Sequence, residues 1–291
     1  MADVFHAGEA RLQSAAGSRE RLAELGERVI RQEMPEQHRR FFAGLPFVVV
    51  ATTDGTGQPH AGVLAGPPGF VSAPDGQRLR IAALPAADGP LAPLRTPGAR
   101  IGLLGIEAHS RRRNRVNGRI AGCDGEGLEV EVEQSFGNCP KYIRPRRASF
   151  APRAEPAGMV VERNDLSERE RAWIRAADTF FIASAHPDDD GHPAHGVDVS
   201  HRGGPPGFVE VSGNTLLLED FAGNNYFNTL GNLLLNPKAG LVFPDFAEGG
   251  LLQLSAEARI LPGPPRRLSL TVTAVRDQAA ALPLRWETAE N

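Results

Sequence analysis

Short apolar runs separated by Gly, Pro and Asp recur along most of the chain. The residues in these runs are mostly β-branched, aliphatic or aromatic, which suits strands buried in a sheet. Many short strands separated by such turn residues are typical of a small barrel or a sandwich. The runs predicted to be strands are residues 48–50, 79–81 and 101–106 in the first half and residues 180–182, 216–218 and 240–243 in the second.

Two segments carry the helical pattern instead. Residues 19–42 place Leu22, Leu25 and Val29 at helical spacing, and Pro35 is expected to interrupt the helix. Residues 166–177 begin with Ser167 and Glu170 at the spacing of a capping box, in which the two residues satisfy each other's backbone N–H groups.

The chain also contains an internal repeat. With Phe47 placed over Phe181, seven of 17 positions are identical up to Val63 over Val197. After a four-residue insertion in the second copy, residues 67–71 are the same as residues 205–209. The sequence therefore predicts two copies of one domain, packed about a pseudo-twofold axis like a homodimer on one chain. In this alignment the insertion yields residues 200–204.

The copies differ after their third strand. The second copy has Asn-rich residues 221–233, in which Asn224 or Asn225 is expected to cap a short helix. A helix N-terminus presents free N–H groups and a positive dipole end, which suit a phosphate. Residues 88–93 of the first copy hold two prolines and an acid, and are a poor phosphate cradle.

The first copy has its own basic segment, residues 111–115. Alternation on a strand would put Arg111, Arg113 and Arg115 on one face. These arginines could form a solvated edge that prevents strand-to-strand aggregation. Alternatively, their guanidinium groups could meet a phosphate or an acidic substrate bound by the second copy.

Composition narrows the function classes. The 291 residues have a net charge of −3, which argues against a protein built for nucleic acid. No apolar run approaches the roughly 20 residues of a membrane span, and no basic leader precedes an apolar core, so a cytoplasmic location is expected. Cys123 and Cys139 form no CxxC motif, and Cys139 is expected to be a small buried residue. No metal is expected, because His186, His192, His195 and His201 form no recognised ligand motif.

Several segments resemble the pyridoxamine 5′-phosphate oxidase family of split-barrel flavoproteins, in particular its duplicated, flavin-nucleotide-binding members. The resemblance covers roughly residues 5–262. The segments that carry it are residues 34–39, 135–142, 200–204 and 236–243.

The resemblance implies a mainly β fold with flanking helices, an α+β class with two tandem split β-barrels of six strands each. The corresponding domains are residues 1–42 as an N-terminal helical segment, 43–135 as the first split barrel, 136–165 as a linker, 166–262 as the second split barrel and 263–291 as a C-terminal tail.

The resemblance also implies FMN, ahead of FAD or haem, held where the two barrels meet. Residues 66–70 and 204–208 are candidates to line the flavin ring, because glycine lets the backbone approach closely. The family's Arg-Lys pair in the short helix is matched here by Asn228 and Thr229, so charge for the phosphate is expected from residues 111–115. The implied cofactor-binding residues are His201, Arg202, Asn224, Asn225, Asn228 and Thr229, together with Arg111, Arg113 and Arg115.

The resulting hypothesis is an FMN-dependent oxidoreductase that passes electrons from NAD(P)H to oxygen or another acceptor, with unknown catalytic residues. The alternative is a flavin- or haem-binding module without turnover, with His195 or His201 as the haem ligand. The expected partners are small molecules, with neither nucleic acid nor membrane. The chain could act as a monomer of two barrels or as a homodimer.

Overall fold

The computed structural model describes residues 3–289. The helices are α1 Ala7–Ala15, α2 Arg19–Val29, α3 Glu36–Ala43, α4 Glu168–Ala176 and α5 Asn228–Leu235. The strands of the first half are β1 Phe47–Thr53, β2 Pro59–Ala65, β3 Val71–Ser72, β4 Arg78–Ile81, β5 Arg100–Glu107, β6 Arg112–Cys123, β7 Leu128–Gly137 and β8 Arg146–Phe150. Those of the second half are β9 Val160–Arg163, β10 Thr179–Ala185, β11 Val197–Gly203, β12 Val209–Ser212, β13 Thr215–Glu219, β14 Lys238–Pro244, β15 Leu251–Leu261, β16 Arg267–Gln278 and β17 Leu284–Thr288.

Both helix predictions are confirmed. The segment around Pro35 divides into α2 and α3, and Pro35 itself is the N-cap of α3. Helix α4 begins at the predicted capping box, in which the Ser167 hydroxyl accepts from the Glu170 N–H and the Glu170 side chain accepts from the Ser167 N–H.

The strands form two large sheets that follow the same order. The first is β2-β1-β5-β6-β7-β4-β3, and the second is β11-β10-β14-β15-β16-β13-β12, with β9 added to β16. The first and last strands of the first sheet, β2 and β3, are joined directly by residues 66–70. Five residues span less than about 18 Å, so each sheet must curl until its two edges come close. The fold is therefore mostly β, with curled sheets and flanking helices.

The central strands are apolar on both faces because the two sheets pack against each other. Val48 and Val50 point into the core enclosed by the first sheet. Val49 and Ala51 lie on the opposite face of β1. They belong to a separate core between the two sheets, which also contains Phe181 of the second sheet. Burial on both sides explains why β1 reads as a continuous apolar run instead of an alternating one.

Two glycines allow the sheets to approach closely. A Cβ atom on Gly102 of β5 would lie 2.4 Å from the carbonyl oxygen of Val197, and one on Gly240 of β14 would lie 2.4 Å from that of Pro59. Both obstacles are backbone atoms, so neither contact can be relieved by turning a side chain.

We expect Gly102→Ala to lower the free energy of unfolding by about 2–3 kcal/mol, the cost of overpacking a rigid contact. Urea unfolding of the full chain measures this. Gly55→Ala is the control, because a Cβ atom at Gly55 would meet nothing within 4 Å. A Gly102→Ala variant as stable as Gly55→Ala would contradict the close approach of the sheets.

The hairpins of the two sheets correct the predicted alignment of the halves. Ala51 pairs with Gly102, and Ala183 pairs with Gly240, so Ala51 corresponds to Ala183. The turn after β1 contains residues 54–58, whereas the turn after β10 contains residues 186–196. The extra residues of the second half therefore lie in this turn, six in number. The expectation that residues 200–204 are an insertion is wrong, since residues 200–203 continue β11.

The predicted C-terminal boundary is also wrong. Residues 267–278 are not part of a tail, because β16 pairs with β15 along its whole length. This strand contributes Leu268, Leu270 and Val272 to the core enclosed by the second sheet. Strand β17 then pairs with β8, which comes from the predicted linker. Among the described residues, no helix combines the length and the apolar character needed to cross a membrane.

Candidate functional site

A cleft with a volume of about 490 Å³ opens where β6 of the first sheet meets β11 and the first turn of α5. Both halves of the chain contribute to its walls. The predicted site residues that line it are Arg113, Arg115, His201, Arg202, Asn224, Asn225, Asn228 and Thr229. The fold therefore gathers at one place residues that are widely separated in the sequence.

Arg111 is not among the cleft-lining residues. Strand β6 begins only at Arg112, and Arg111 ends the preceding 3-10 turn in a left-handed conformation with a φ of 56°. The expectation that Arg111 shares a strand face with Arg113 and Arg115 is therefore wrong.

Arg115 is committed to a buried ion pair between the two halves. Only 2% of its surface is exposed, and its Nη1 atom lies 2.8 Å from Oδ1 of Asp198 on β11. Its Nη2 atom donates to the carbonyl oxygen of Val199 at 2.9 Å and to the Ser200 hydroxyl. Because these bonds use both terminal nitrogens, Arg115 fixes the wall of the cleft.

Asp198 is the centre of this buried network. The Nδ2 atoms of Asn117 and Asn232 each lie 2.8 Å from one of its carboxylate oxygens. One guanidinium thus pairs with this carboxylate and two amides donate hydrogen bonds to it, which is the compensation that a buried ion pair needs.

Arg113 is arranged differently. It is half-buried, and its buried Nε atom, like that of Arg115, has no hydrogen-bond partner within residues 3–289, but Arg113 lacks the ion pair that Arg115 makes with Asp198. Burial, followed by the charge of Arg202, lowers the pKa of Arg113 to about 10, so the guanidinium is still charged at neutral pH. Asn138, which also lines the cleft, has a buried Nδ2 atom without a partner in the described chain. Donors left unsatisfied in this way suit an anion.

The N-terminus of α5 adds positive potential to the same cleft. The prediction that Asn224 or Asn225 caps this helix is wrong. Its N-cap is Phe227, in a left-handed conformation with a φ of 61° and without a side-chain hydrogen bond, and Asn224 instead accepts from the Tyr226 N–H. The first turn of α5 thus faces the cleft without a side-chain cap, and its N–H groups can receive an anion.

The side chains of Asn228 and Thr229 point to partners within the protein. The amide nitrogen of Asn228 donates to Glu9 of α1, and the Thr229 hydroxyl donates to the Ser200 hydroxyl at 2.9 Å. These two residues therefore present their backbone N–H groups, and their side chains hold the helix in position.

Helix α1 packs directly behind α5. A Cβ atom on Gly8 would lie 2.2 Å from the carbonyl oxygen of Gly231, so the two helices touch through their backbones. Burial, together with the charge of Asp198, raises the pKa of the Glu9 carboxyl well above its usual value. Burial and the neighbouring His186 lower the pKa of His6 to about 4. The N-terminal segment thus fixes the helix that forms one wall of the cleft.

His6 makes the stability of the protein sensitive to acid. In the unfolded chain His6 binds a proton near pH 6.5, whereas the folded protein keeps it neutral down to about pH 4. Unfolding therefore takes up a proton in this window, and the free energy of unfolding falls as the pH drops, by up to about 3 kcal/mol. We expect His6→Asn, which keeps a capping acceptor for α1, to lose less stability than the wild type between pH 6.5 and 4 in urea titrations. Parallel curves for the two proteins would contradict this.

His201 and Arg202 reach the cleft from β11. His201 is 5% exposed, and burial together with the charge of Arg113 lowers its pKa well below the usual value, so its ring is neutral. His201 also lines a second cleft of about 390 Å³, whose walls include Phe246 and Trp286. His195, the other predicted haem ligand, does not line the cleft.

Residues 66–70 and 204–208 do not line the cleft either. A Cβ atom on Gly66 or Gly204 would lie 2.6 Å from the ring of Phe70 or Phe208. These glycines make room for a phenylalanine of the same segment, and their expected approach to a flavin ring stays a prediction.

Other cleft residues were missed by the sequence interpretation. Tyr142 stacks on Phe221 with ring centroids 5.1 Å apart, and its hydroxyl donates to the carbonyl oxygen of Ala222. Arg266 binds Asp220 through Nε and Nη2. Tyr142 lies in one of the segments that carry the family resemblance, which could have marked it. Arg266 was hidden by the misplaced C-terminal boundary.

Comparison with known proteins finds a similar family for part of the chain. Residues 34–159 match the model of a family described as pyridoxamine 5′-phosphate oxidase, and no curated protein matches the chain. Solved structures that are similar include an FAD-binding protein from Mesorhizobium loti, at 12% identity over 42% of this chain and 99% of that one with a TM-score of 0.28. A candidate pyridoxamine 5′-phosphate oxidase from Corynebacterium glutamicum, at 12% identity, covers 42% and 94% with a TM-score of 0.29. The similarity to the pyridoxamine 5′-phosphate oxidase family thus lies in residues 34–159 of the chain.

Proposed function

We propose that the cleft binds flavin mononucleotide, with the phosphate held by Arg113 and the first turn of α5. The observation that carries this proposal is the Arg113 guanidinium, which is charged, half-buried and left with an unsatisfied donor. A phosphate monoester carries close to two negative charges and several acceptor oxygens, and it is the group that an arginine beside a helix N-terminus binds best. Arg202 supplies a second cation on the same wall.

The cleft fits a ligand of this class. Its volume of about 490 Å³ lies within the range of roughly 300–1,000 Å³ that is usual for cofactor sites. His201 lines both this cleft and the second one, whose Phe246 and Trp286 offer an apolar surface for an aromatic ring system. A molecule with an anionic end and a planar aromatic end would match both parts.

The chain is best explained as two tandem split barrels related by a pseudo-twofold axis. The identical strand order of the two sheets supports this, as does the matched approach of Gly102 and Gly240 to the opposite hairpins. Under this relation Leu104 of β5 corresponds to Val242 of β14. Leu104 pairs with Arg115, and Val242 pairs with Gln253. Gln253 therefore occupies the position equivalent to Arg115, and Leu251 the position equivalent to Arg113.

The second, pseudo-symmetric position therefore lacks both arginines, and Gln253 is already bound to the carbonyl oxygen of Ala61. In place of α5, the first half has a 3-10 turn, Ala92–Arg95, with a proline near its start. We expect one flavin per chain, whereas a symmetric pair of barrels would bind two.

The proposed activity is that of an FMN-dependent oxidoreductase, with NAD(P)H as the electron donor and oxygen or another small molecule as the acceptor. The flavin, when bound, supplies the electron-transfer chemistry, and the protein supplies binding, orientation and electrostatics. Arg113 and α5 would hold the phosphate, while the buried network around Asp198 keeps the cleft wall rigid. The neutral His201 ring can donate or accept a hydrogen bond beside the cofactor without adding a charge.

The test is to purify the full chain, record its visible spectrum and identify any released chromophore by chromatography. FMN at one molecule per chain, with flavin-dependent oxidation of NADH or NADPH, is the expected result. A protein that binds FMN but oxidises neither nucleotide would be a binding module. A colourless protein that does not take up added FMN would contradict the proposal, and uptake of haem instead would replace it.

A further inference from the structure

The turn after β10, residues 186–196, is a cation-binding candidate separate from the cleft. It is six residues longer than the turn after β1, and it carries His186, His192 and His195. It also carries three consecutive aspartates, residues 188–190. The extra length of this turn thus brings side chains that can bind metals, and none of them belongs to the flavin site proposed above.

A buried arginine of the first half holds this turn in one shape. The Nη1 atom of Arg100 donates to the carbonyl oxygens of His186, Asp188 and His195 at 3.0, 2.9 and 3.1 Å. Arg100 is 7% exposed, so its geometry is fixed by the packing around it. The backbones of the three residues therefore meet around one nitrogen atom.

Their side chains converge as well. One donor atom from each of His186, Asp188 and His195 can be chosen so that all three lie within 4.8 Å of one another. The rings of His186 and His195 are parallel, with centroids 3.7 Å apart. A fourth group is close, since the ring of His192 lies 4.7 Å from that of His195.

The surroundings of His195 orient it as a ligand. Its Nδ1 atom lies 2.9 Å from Oδ1 of Asp190, so Nδ1–H donates to the carboxylate and Nε2 keeps a free lone pair. This carboxylate–histidine arrangement is the usual support of a metal-bound imidazole. Asp189 is not available, because it pairs with Arg119.

We infer that His186, Asp188 and His195 form a binding site for a divalent transition-metal ion. Two imidazole nitrogens and one carboxylate oxygen favour Zn²⁺, Co²⁺ or Ni²⁺ over Mg²⁺ or Ca²⁺, which prefer oxygen ligands. Metal–ligand bonds of about 2.0–2.2 Å place donors roughly 3.4 Å apart, so the three side chains must draw together. Asp188 can do so because its carboxylate is exposed. The stacked rings of His186 and His195 must also turn out of parallel, because each imidazole lone pair lies in the plane of its ring. The three-ligand set leaves a position for water.

Binding has one identifiable structural cost. The Nδ1 atom of His186 now accepts a hydrogen bond from the Asp188 N–H at 3.1 Å. A neutral imidazole that binds a metal through one nitrogen carries a proton on the other. Whichever nitrogen of His186 binds, this hydrogen bond is therefore lost, at a cost of about 1 kcal/mol. The Asp188 amide is the group whose environment should change most.

The site can be tested by titrating the full chain, free of flavin, with Co²⁺ and following its visible d–d absorption, with Zn²⁺ as competitor. We expect one tight Co²⁺ per chain, displaced by Zn²⁺, and a shift of the Asp188 amide in the NMR spectrum. His195→Ala should weaken binding about 100-fold, and Asp188→Asn about 10-fold. Asp188→Asn changes an exposed side chain, so it remains informative if His195→Ala fails to fold.

His60→Ala is the matched control. His60 lies 3.0 Å from Asp54 beside the shorter turn of the first half, and it should leave Co²⁺ binding unchanged. The inference is overturned if the wild type binds no Co²⁺, if both loop variants bind it as the wild type does, or if His60→Ala weakens binding equally. None of these outcomes depends on whether the protein binds flavin.

Discussion

Arg115→Ala is expected to lower the free energy of unfolding by about 3–5 kcal/mol, the usual cost of removing one partner from a buried ion pair. The variant would leave the carboxylate of Asp198 buried with only the amides of Asn117 and Asn232 as donors. Because this network connects β6 to β11, the loss should affect the contact between the two sheets. Urea or thermal unfolding of the full chain measures the effect.

Two further variants separate the buried pair from a general effect of removing arginine. Arg119→Ala removes another arginine of β6, whose partners are the half-buried Glu133 and the exposed Asp189, and it should cost clearly less than Arg115→Ala. The double variant Arg115→Ala with Asp198→Asn should recover part of the stability, because no buried charge remains unpaired. A loss below about 1 kcal/mol in Arg115→Ala would show that this pair contributes no more than an exposed one.

The different roles of these arginines could not be read from the sequence. Alternation along a strand predicts that Arg113 and Arg115 lie together, and both do line the cleft. The partner of Arg115 is Asp198, which lies in the other half of the chain and in no motif with it. Arg113 is distinguished only by the absence of such a partner within residues 3–289. Local patterns give the position of a charged side chain, but tertiary contacts decide whether it is paired within the protein or free to bind a ligand.

Strands and helices were predictable because their signals are local. The apolar runs marked the central strands, and Ser167 with Glu170 marked the start of α4. The predicted alignment of the two halves was wrong because the correct register depends on strand pairing, which is not local in the sequence. Identities between the turns favoured a register two residues off, whereas the pairing of Ala51 and Ala183 with neighbouring strands fixes the true one.

The strand β16 shows a second limit. Its residues 267–278 alternate between buried and exposed positions, and this pattern is present in the sequence. The family resemblance ends near residue 262 and predicts no strand beyond it, whereas the alternation of residues 267–278 does. Arg266, which borders the cleft beside Asp220, lies beyond the same boundary and was therefore not among the predicted site residues.

Arg113→Ala is expected to weaken flavin binding about 10- to 100-fold, which corresponds to the loss of one hydrogen-bonded charge on a phosphate. The flavin-free variant should be as stable as the wild type or more stable, because it no longer buries a cation with an unsatisfied donor. This combination sets Arg113 apart from Arg115, whose removal should destabilise the protein. Fluorescence titration of FMN into the flavin-free chain measures affinity, and urea unfolding of the same samples measures stability.

Arg112→Ala is the control for this prediction. Arg112 is the neighbouring residue on β6, exposed and lying 5.0 Å from the ring of Phe41, so its loss should leave FMN affinity unchanged. Arg113→Lys should give an intermediate affinity, because it keeps the charge and loses the planar fork that matches a phosphate. Raising the salt concentration should weaken FMN binding more in the wild type than in Arg113→Ala. Equal affinities for Arg113→Ala and Arg112→Ala would place the phosphate elsewhere, and α5 alone would then have to hold it.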